Sequence, residues 1–410
     1  MNRIVLIGNG FDLAHDLKTK YEHFIDWYWD YRVGGFANER TNISKDVLCT
    51  FKNLSGNAWK SFYEYYMSQF FGSLQKIEGY KVIQFIRNNQ DNYEITSSPF
   101  FKNICTSVET KGWVDIENEY YFLLKKYALS EDFRSKIVAL NNELSYIQER
   151  LIEYLELINQ QKINSHNGIK EKIYAPINSQ DISVEASKIV KDYVQWWSKR
   201  DRNAWERKLY DYGISGAESY NYIYDIEDYK KGNLYHSEYP NLFMLPDKIM
   251  LLSFNYTKTA QTYLMEGKQN FEINFIHGKI ENPSSVIFGY GDELDEKYNQ
   301  IQNLNDNECL RNVKTIKYQE SDNYRKVLAF IESAPFQVYI MGHSCGNSDR
   351  TLLNKLFEHK NCISIKPYYY KNEDGTDNYL ELAQNISRNF TDMNLMRDRV
   401  VNKTYCEPLT

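Results

Sequence analysis

Hydrophobic positions fall into three regimes along the 410 residues. The first is a short continuous run, Arg3-Ile4-Val5-Leu6-Ile7, apolar and mostly β-branched. Such a run predicts a parallel strand buried on both faces. Gly8-Asn9-Gly10-Phe11-Asp12-Leu13 follows at once, with Asp12 as the expected N-cap of a helical run. In the second regime, from 18–36 and then from about 40 to 245, apolar residues recur at threes and fours, the helical period. Residues 57–72 carry Trp59, Phe62, Tyr63, Tyr66 and Phe70 as one such stripe, and 114–128 and 183–199 look alike. The longest stripe, over 131–162, runs through Ile137, Leu140, Leu144, Ile147, Leu151, Leu155 and Ile158. It fits a coiled-coil arm or a packed core helix, and the core reading is preferred because it lasts about three heptads. Residues 200–247, rich in Tyr, Asp, Asn and Gly, predict loop with short helices. The third regime begins at Pro246. Short apolar runs at Ile249–Phe254, Ile273–Ile276, Val286–Phe288, Val338–Met341 and Ile363–Ile365 predict strands, with helical patterns at 257–266, 322–334 and 349–359.

Alternating short strands and helices imply an α/β fold, a Rossmann-like, mostly parallel sheet. A single N-terminal strand cannot form a sheet, so it belongs with the later set. The expected organisation is a discontinuous nucleotide-binding domain, 1–36 and 246–370, interrupted by a helical insertion, 37–245. Residues 371–410 form a polar tail with one helix near 377–388. Composition is ordinary for a globular chain, 42% hydrophobic and 25% charged. No apolar stretch approaches the roughly 20 residues of a membrane helix, and no basic leader precedes the first strand. The expectation is a cytoplasmic protein with no membrane partner. The six cysteines are scattered without a Cys-x-x-Cys pair, which argues against disulfides and zinc. A net charge of −6 with no basic run does not indicate nucleic acid. The 35 tyrosines suit stacking surfaces or, the preferred reading, helix–helix contacts.

Three polar stretches end predicted strands, where open α/β sheets place their ligands. The glycine turn can bring backbone N–H groups and a helix N-terminus up to a phosphate, although Leu13 stands where a dinucleotide fingerprint has its third glycine. Gly8, Asn9, Gly10, Phe11 and Asp12 are thus candidates for holding phosphates and the adjoining ribose. Ser253-Phe254-Asn255-Tyr256-Thr257 is followed about twenty residues on by His277-Gly278, and Met341-Gly342-His343-Ser344-Cys345 by Asp349. His277 can equally be a core histidine, and Gly342 and Gly346 simple turn residues. In Trp113-Val114-Asp115-Ile116-Glu117-Asn118-Glu119, Asp115 and Glu119 share one helix face, with Glu117 roughly opposite. They could hold a metal or act as acid and base; N-terminal helix charges facing the dipole are the preferred reading.

The stretch Ile7–His15, with Leu17, Thr19 and Tyr21 after it, resembles the signature of the AbiH family of bacterial phage abortive-infection proteins. Asp16 stands where that family usually has glycine. Ser253–Thr257, His277-Gly278 and Gly342–Asp349 fit the same family, and more distantly resemble sirtuin-like NAD-binding domains of bacterial defence proteins. The resemblance implies an anti-phage effector that binds NAD or a related nucleotide and hydrolyses its nicotinamide–ribose bond. It implies catalytic roles for Asn255 and His277, and cofactor contacts from Gly278, Gly342, Ser344 and Asp349, with no metal. Thr257 departs from the sirtuin pattern, which has Asp there, and the zinc-module cysteine pairs are missing, which argues against protein deacylation. The helical insertion would then sense a phage-derived or cellular trigger, or join copies of the chain. A nucleotide-binding sensor without turnover, and a metal-dependent nuclease toxin using residues 115–119, are the alternatives.

Overall fold

The computed structural model describes residues 1–39, 42–54, 79–111, 114–232, 239–265, 268 and 270–410. The expected helix over 57–72, and Trp113, lie outside the described residues. At the centre is a five-stranded, all-parallel sheet of β1 (Asn2–Ile7), β5 (Lys248–Ser253), β6 (Phe271–Phe275), β7 (Phe336–Met341) and β8 (Cys362–Tyr368), in the order β6-β5-β1-β7-β8. The expected α/β class with a parallel sheet is what forms. Mostly apolar runs supply side chains to both faces, although β6, Phe271-Glu272-Ile273-Asn274-Phe275, alternates and exposes Glu272. Ile4, Leu6, Met250, Leu252, Val338 and Ile340 pack on one face against helices Asn323–Ser333, Arg350–Phe357 and Tyr379–Arg388. Val5, Ile7, Leu251, Tyr339 and Met341 pack on the other against helix Asn167–Tyr174.

Registry places the site. Ile7 pairs with Ser253 on one side and Met341 on the other, and Ser253 pairs with Phe275. Four strands therefore end level, and Gly8, Phe254, Ile276 and Gly342 all leave the sheet along one edge. From β1 the chain's later strands lie first to one side, β5 and β6, then to the other, β7 and β8. Loops diverge at such a switch point and leave a crevice between them.

The residues between β1 and β5 do two jobs. Helices α1 (Asn9–Leu13), α2 (Tyr21–Glu39), α3 (Ile116–Tyr127) and α4 (Phe133–Asn159) come first, with α2, α3 and α4 sharing a core of their own. Leu140, Leu144, Ile147 and Leu151 of α4 are buried in it, so the long stripe is a packed helix and not a projecting arm. Residues 167–244 instead cover the sheet, where Met1 and Ile363 meet Val190, Trp205, Leu209 and Phe243.

Several sequence expectations need correction. Within 40–245 lies an antiparallel sheet of β2 (Ile43–Lys45), β3 (Cys49–Asn53) and β4 (Tyr93–Ser97) that the helical reading missed. Residues 202–230 are more helical than expected, in Arg202–Asp211 and Gly216–Lys230. Val286–Phe288 is no strand: all three residues are buried, but the run joins no ladder and is tied to the sheet edge by the Ile287 N–H on the His277 carbonyl. The pattern at 257–266 gives only a 3₁₀ turn, Thr259–Tyr263. Asp12 caps nothing, because Gly8 precedes α1 and Asp12 is buried inside it.

Candidate functional site

The glycine turn is shaped first by backbone contact. The N–H of Gly8 reaches the Met341 carbonyl, and that of Gly10 the Gly342 carbonyl at 2.8 Å. A Cβ at Gly342, whose φ is +75°, would lie 2.0 Å from the Phe11 nitrogen. One at Gly8 would lie 2.6 Å from the His343 Cα. The three glycines let the loops after β1 and β7 touch. Two N–H groups expected for phosphate are thereby engaged inside the protein. Asn9 remains exposed, its amide oxygen accepting from the Thr19 hydroxyl.

Beneath this turn Asp12 is 1% exposed and takes a 2.7 Å hydrogen bond from the Thr257 hydroxyl. Its other oxygen, Oδ1, is buried with no hydrogen bond among the described residues. Burial pushes the carboxyl up to about 6, against the pull of Thr259, Thr257 and Asn255. Thr257 thus stands against a carboxylate supplied by α1. Asn255 bridges the same two segments, donating through Nδ2 to the Gly8 carbonyl at 2.9 Å.

His277, two residues beyond β6, is 4% exposed. Its Nε2 lies 3.1 Å from Asp349 Oδ1 and 3.2 Å from the Tyr318 hydroxyl. Facing a carboxylate, Nε2 carries the ring proton, and among the described residues no hydrogen-bond partner reaches Nδ1. Burial, then Lys314, pushes the imidazole below its usual range, so it is neutral at physiological pH. His343 lies on the other side of Asp349, Nε2 at 3.7 Å from Oδ2, while its Nδ1 accepts the Cys345 N–H. Phe254 packs between the two rings, 4.1 Å from His343 and 5.3 Å from His277.

Asp349 is held by more than histidines. Lys314 Nζ, 1% exposed, sits 2.9 Å from Asp349 Oδ1 and 2.9 Å from Glu117 Oε2. Although burial opposes ionisation, Lys314 and His277 keep the Asp349 carboxyl well below the usual range. Glu117 goes the other way, pushed up to about 7 by burial despite Lys314, with Asp349 and Asp115 adding to the rise. Its second oxygen accepts the Gly289 N–H. Tyr21 and Tyr256 border the cluster, and burial raises both phenols well above their usual range.

The acidic stretch disperses. Asp115 caps α3 by accepting from the Asn118 N–H, with its Oδ2 4.0 Å from where a Cβ at Gly346 would stand, Glu119 accepts from the Ser107 hydroxyl, and Glu117 pairs with Lys314. Among the described residues no group of His, Cys, Asp and Glu is arranged to hold a metal. Gly278, at φ +80°, lies under Ser285, whose carbonyl a Cβ would meet at 2.0 Å. Ser344 is exposed, and its carbonyl accepts from Asn385. The edge therefore brings together Asn255, His277, Gly342 and Asp349 of the expected residues. It adds His343, Lys314, Tyr318 and Tyr256, which sequence reasoning did not single out, and Glu117, which it weighed only within the acidic stretch. His343 stood inside a quoted motif, and Glu117 in the acidic stretch; Lys314 had no sequence signal.

A family model described as Bacteriophage abortive infection AbiH matches residues 4–370. No curated protein and no solved structure matches the chain. No helix among the described residues is long and apolar enough to cross a membrane.

Proposed function

We propose that this chain, which belongs to the AbiH family of bacteriophage abortive-infection proteins, carries out that anti-phage role by acting on a nucleotide at the carboxyl edge of its parallel sheet. The substrate in this reading is NAD or a close relative, and the reaction is hydrolysis of the nicotinamide–ribose bond. Water adds at the ribose carbon, nicotinamide leaves with the bonding electrons, and one proton is released.

The observation that carries the reading is the Asp349–His277 pair at the strand-end crevice. Asp349 fixes the proton of His277 on Nε2, so the Nδ1 lone pair is available to take a proton from water or a ribose hydroxyl. Asn255, anchored to Gly8, would orient the ribose, and Asp12 Oδ1 is a buried acceptor that a ribose hydroxyl would satisfy. Asn9, Gly278, Gly342 and Ser344 would line the route in. A metal has no part in the reading. Copies of the chain, or a phage-derived or cellular trigger, would act through the helical insertion.

The test is nicotinamide and ADP-ribose released from NAD by purified wild type, His277→Ala and Asn255→Ala. A positioned base is worth about 10²–10⁴-fold, so His277→Ala should lose at least about 100-fold. Equal release by wild type and His277→Ala would overturn the role of His277. A second reading, a nucleotide sensor without turnover, draws on Thr257, which gives its hydroxyl proton to Asp12 and offers no carboxylate of its own. It predicts saturable NAD or ADP-ribose binding with no release by any variant.

A further inference from the structure

Lys314 belongs to no motif, yet it is among the most buried charges in the protein. A lone ammonium taken out of water costs several kcal/mol and persists only where partners compensate it. Its partners come from distant parts of the chain. Glu117 stands in the first turn of α3, in the interrupting helical segment. Asp349 follows β7, and Lys314 begins a short helix, Lys314–Lys317, in the connection between β6 and β7. The resulting line runs Glu117 Oε2, Lys314 Nζ, Asp349 Oδ1, His277 Nε2, with separations of 2.9, 2.9 and 3.1 Å. The lysine chain also packs over Gly291, where a Cβ would meet its own Cβ at 3.2 Å, so its path has little freedom.

We propose that Lys314 is a positioning residue for His277, acting through Asp349, and that Glu117 makes this positioning depend on where α3 of the helical segment sits. The proposal rests on His277 being the base. Lys314 pins one carboxylate oxygen of Asp349 in the place where it also faces Nε2, which sets the tautomer and leaves Nδ1 free. Glu117 shares the ammonium. With Glu117 in place the lysine charge is divided between two carboxylates, and Asp349 stays a strong acceptor for His277. If α3 moves, as it would when the segment engages a trigger, the ammonium is left to Asp349 alone and the imidazole feels a weaker carboxylate. The other groups near His277 are the His343 ring, the Tyr318 hydroxyl and the rings of Tyr256 and Phe254, none of which is a fixed charge.

Ring-nitrogen NMR of full-length protein labelled with ¹⁵N-histidine tests this without any substrate. The His277 signal is identified by its loss in His277→Gln. The wild type should show the Nε2–H tautomer. Lys314→Met removes a cation beside the ring and should raise the proton affinity of His277 about tenfold, one pH unit, or more. Glu117→Gln should lower it, because the ammonium is then committed to Asp349. The double variant Glu117→Gln/Lys314→Met removes one charge of each sign. It keeps the upward shift measurable if Lys314→Met alone does not fold. Nicotinamide release should then drop in kcat with KM for NAD little changed in the folded variants. Variants that melt cooperatively and leave the His277 shifts and titration as in wild type would overturn the positioning role. If the ring responds as expected while wild type releases no nicotinamide, the positioning holds and the hydrolase reading fails.

Discussion

Asp16 and Gly342 show how residue choice at this edge is dictated by backbone, and Asp12 shows where it is dictated by something else. Asp16 has φ +60°, a left-handed conformation in which glycine carries no Cβ penalty. Replacing it by glycine should stabilise the protein by about 0.5–1 kcal/mol in chemical denaturation. Gly342→Ala should do the reverse on a larger scale. Its Cβ would collide with the Phe11 nitrogen at a φ of +75°, so a loss of at least about 3 kcal/mol, or no cooperative unfolding at all, is expected. Asp12 has no such packing reason. Its carboxyl binds a proton more tightly folded than unfolded, so folded stability is lost as pH rises from its ordinary 3.8 through about 6. Asp12→Asn should therefore gain about 1–3 kcal/mol over wild type at pH 8 compared with pH 4, while binding nucleotide less well. A gap in stability that does not change with pH would contradict that account.

At the scale of elements, what the sequence revealed depended on how far burial follows local pattern. The parallel strands were legible because both faces are covered and most print as apolar runs, whereas edge strand β6, Phe271-Glu272-Ile273-Asn274-Phe275, alternates and was read only from Ile273 on. The small antiparallel sheet was not, since Ile43-Ser44-Lys45 and Cys49-Thr50-Phe51-Lys52-Asn53 mix polar and apolar residues inside a helical stretch. Val286–Phe288 misled in the opposite sense, being buried without strand partners. Helix α3 is the informative middle case. Spacing paired Asp115 with Glu119, but the helix presents Glu117 to the sheet edge, and that orientation is set by Ile116, Tyr120 and Leu124 entering the core. Asp115→Ala should cost about 1 kcal/mol through loss of the cap, and Asp115→Asn much less. Because these carboxylates serve a cap, a lysine and a serine, chelating agents should leave any nicotinamide release unchanged; release lost on metal removal would contradict those assignments.

At the scale of the whole molecule, the segment between β1 and β5 divides its work. One part buries the sheet, and the other keeps its own core while lending Glu117 to the sheet edge. The candidate site was half legible for the same reason. Gly8, Asn255, His277 and Asp349 lie in motifs close to strand ends, where topology makes local sequence predictive. Lys314 meets them only through tertiary folding, and an isolated lysine between Val313 and Thr315 reads as surface. If His277 is the base, its lowered proton affinity also places the acid limb of activity below the ordinary histidine value of 6.5, because a neutral ring persists to lower pH. Whether the Asp349–His277 pair breaks NAD in the cell is decided by measuring cellular NAD during phage infection, in cells carrying wild type, His277→Ala or Asp349→Asn at matched protein levels. NAD should fall, and nicotinamide rise, only with wild type, and protection should be lost in both variants. Protection by wild type with NAD unchanged, or by His277→Ala with NAD depleted, would contradict that role of the pair.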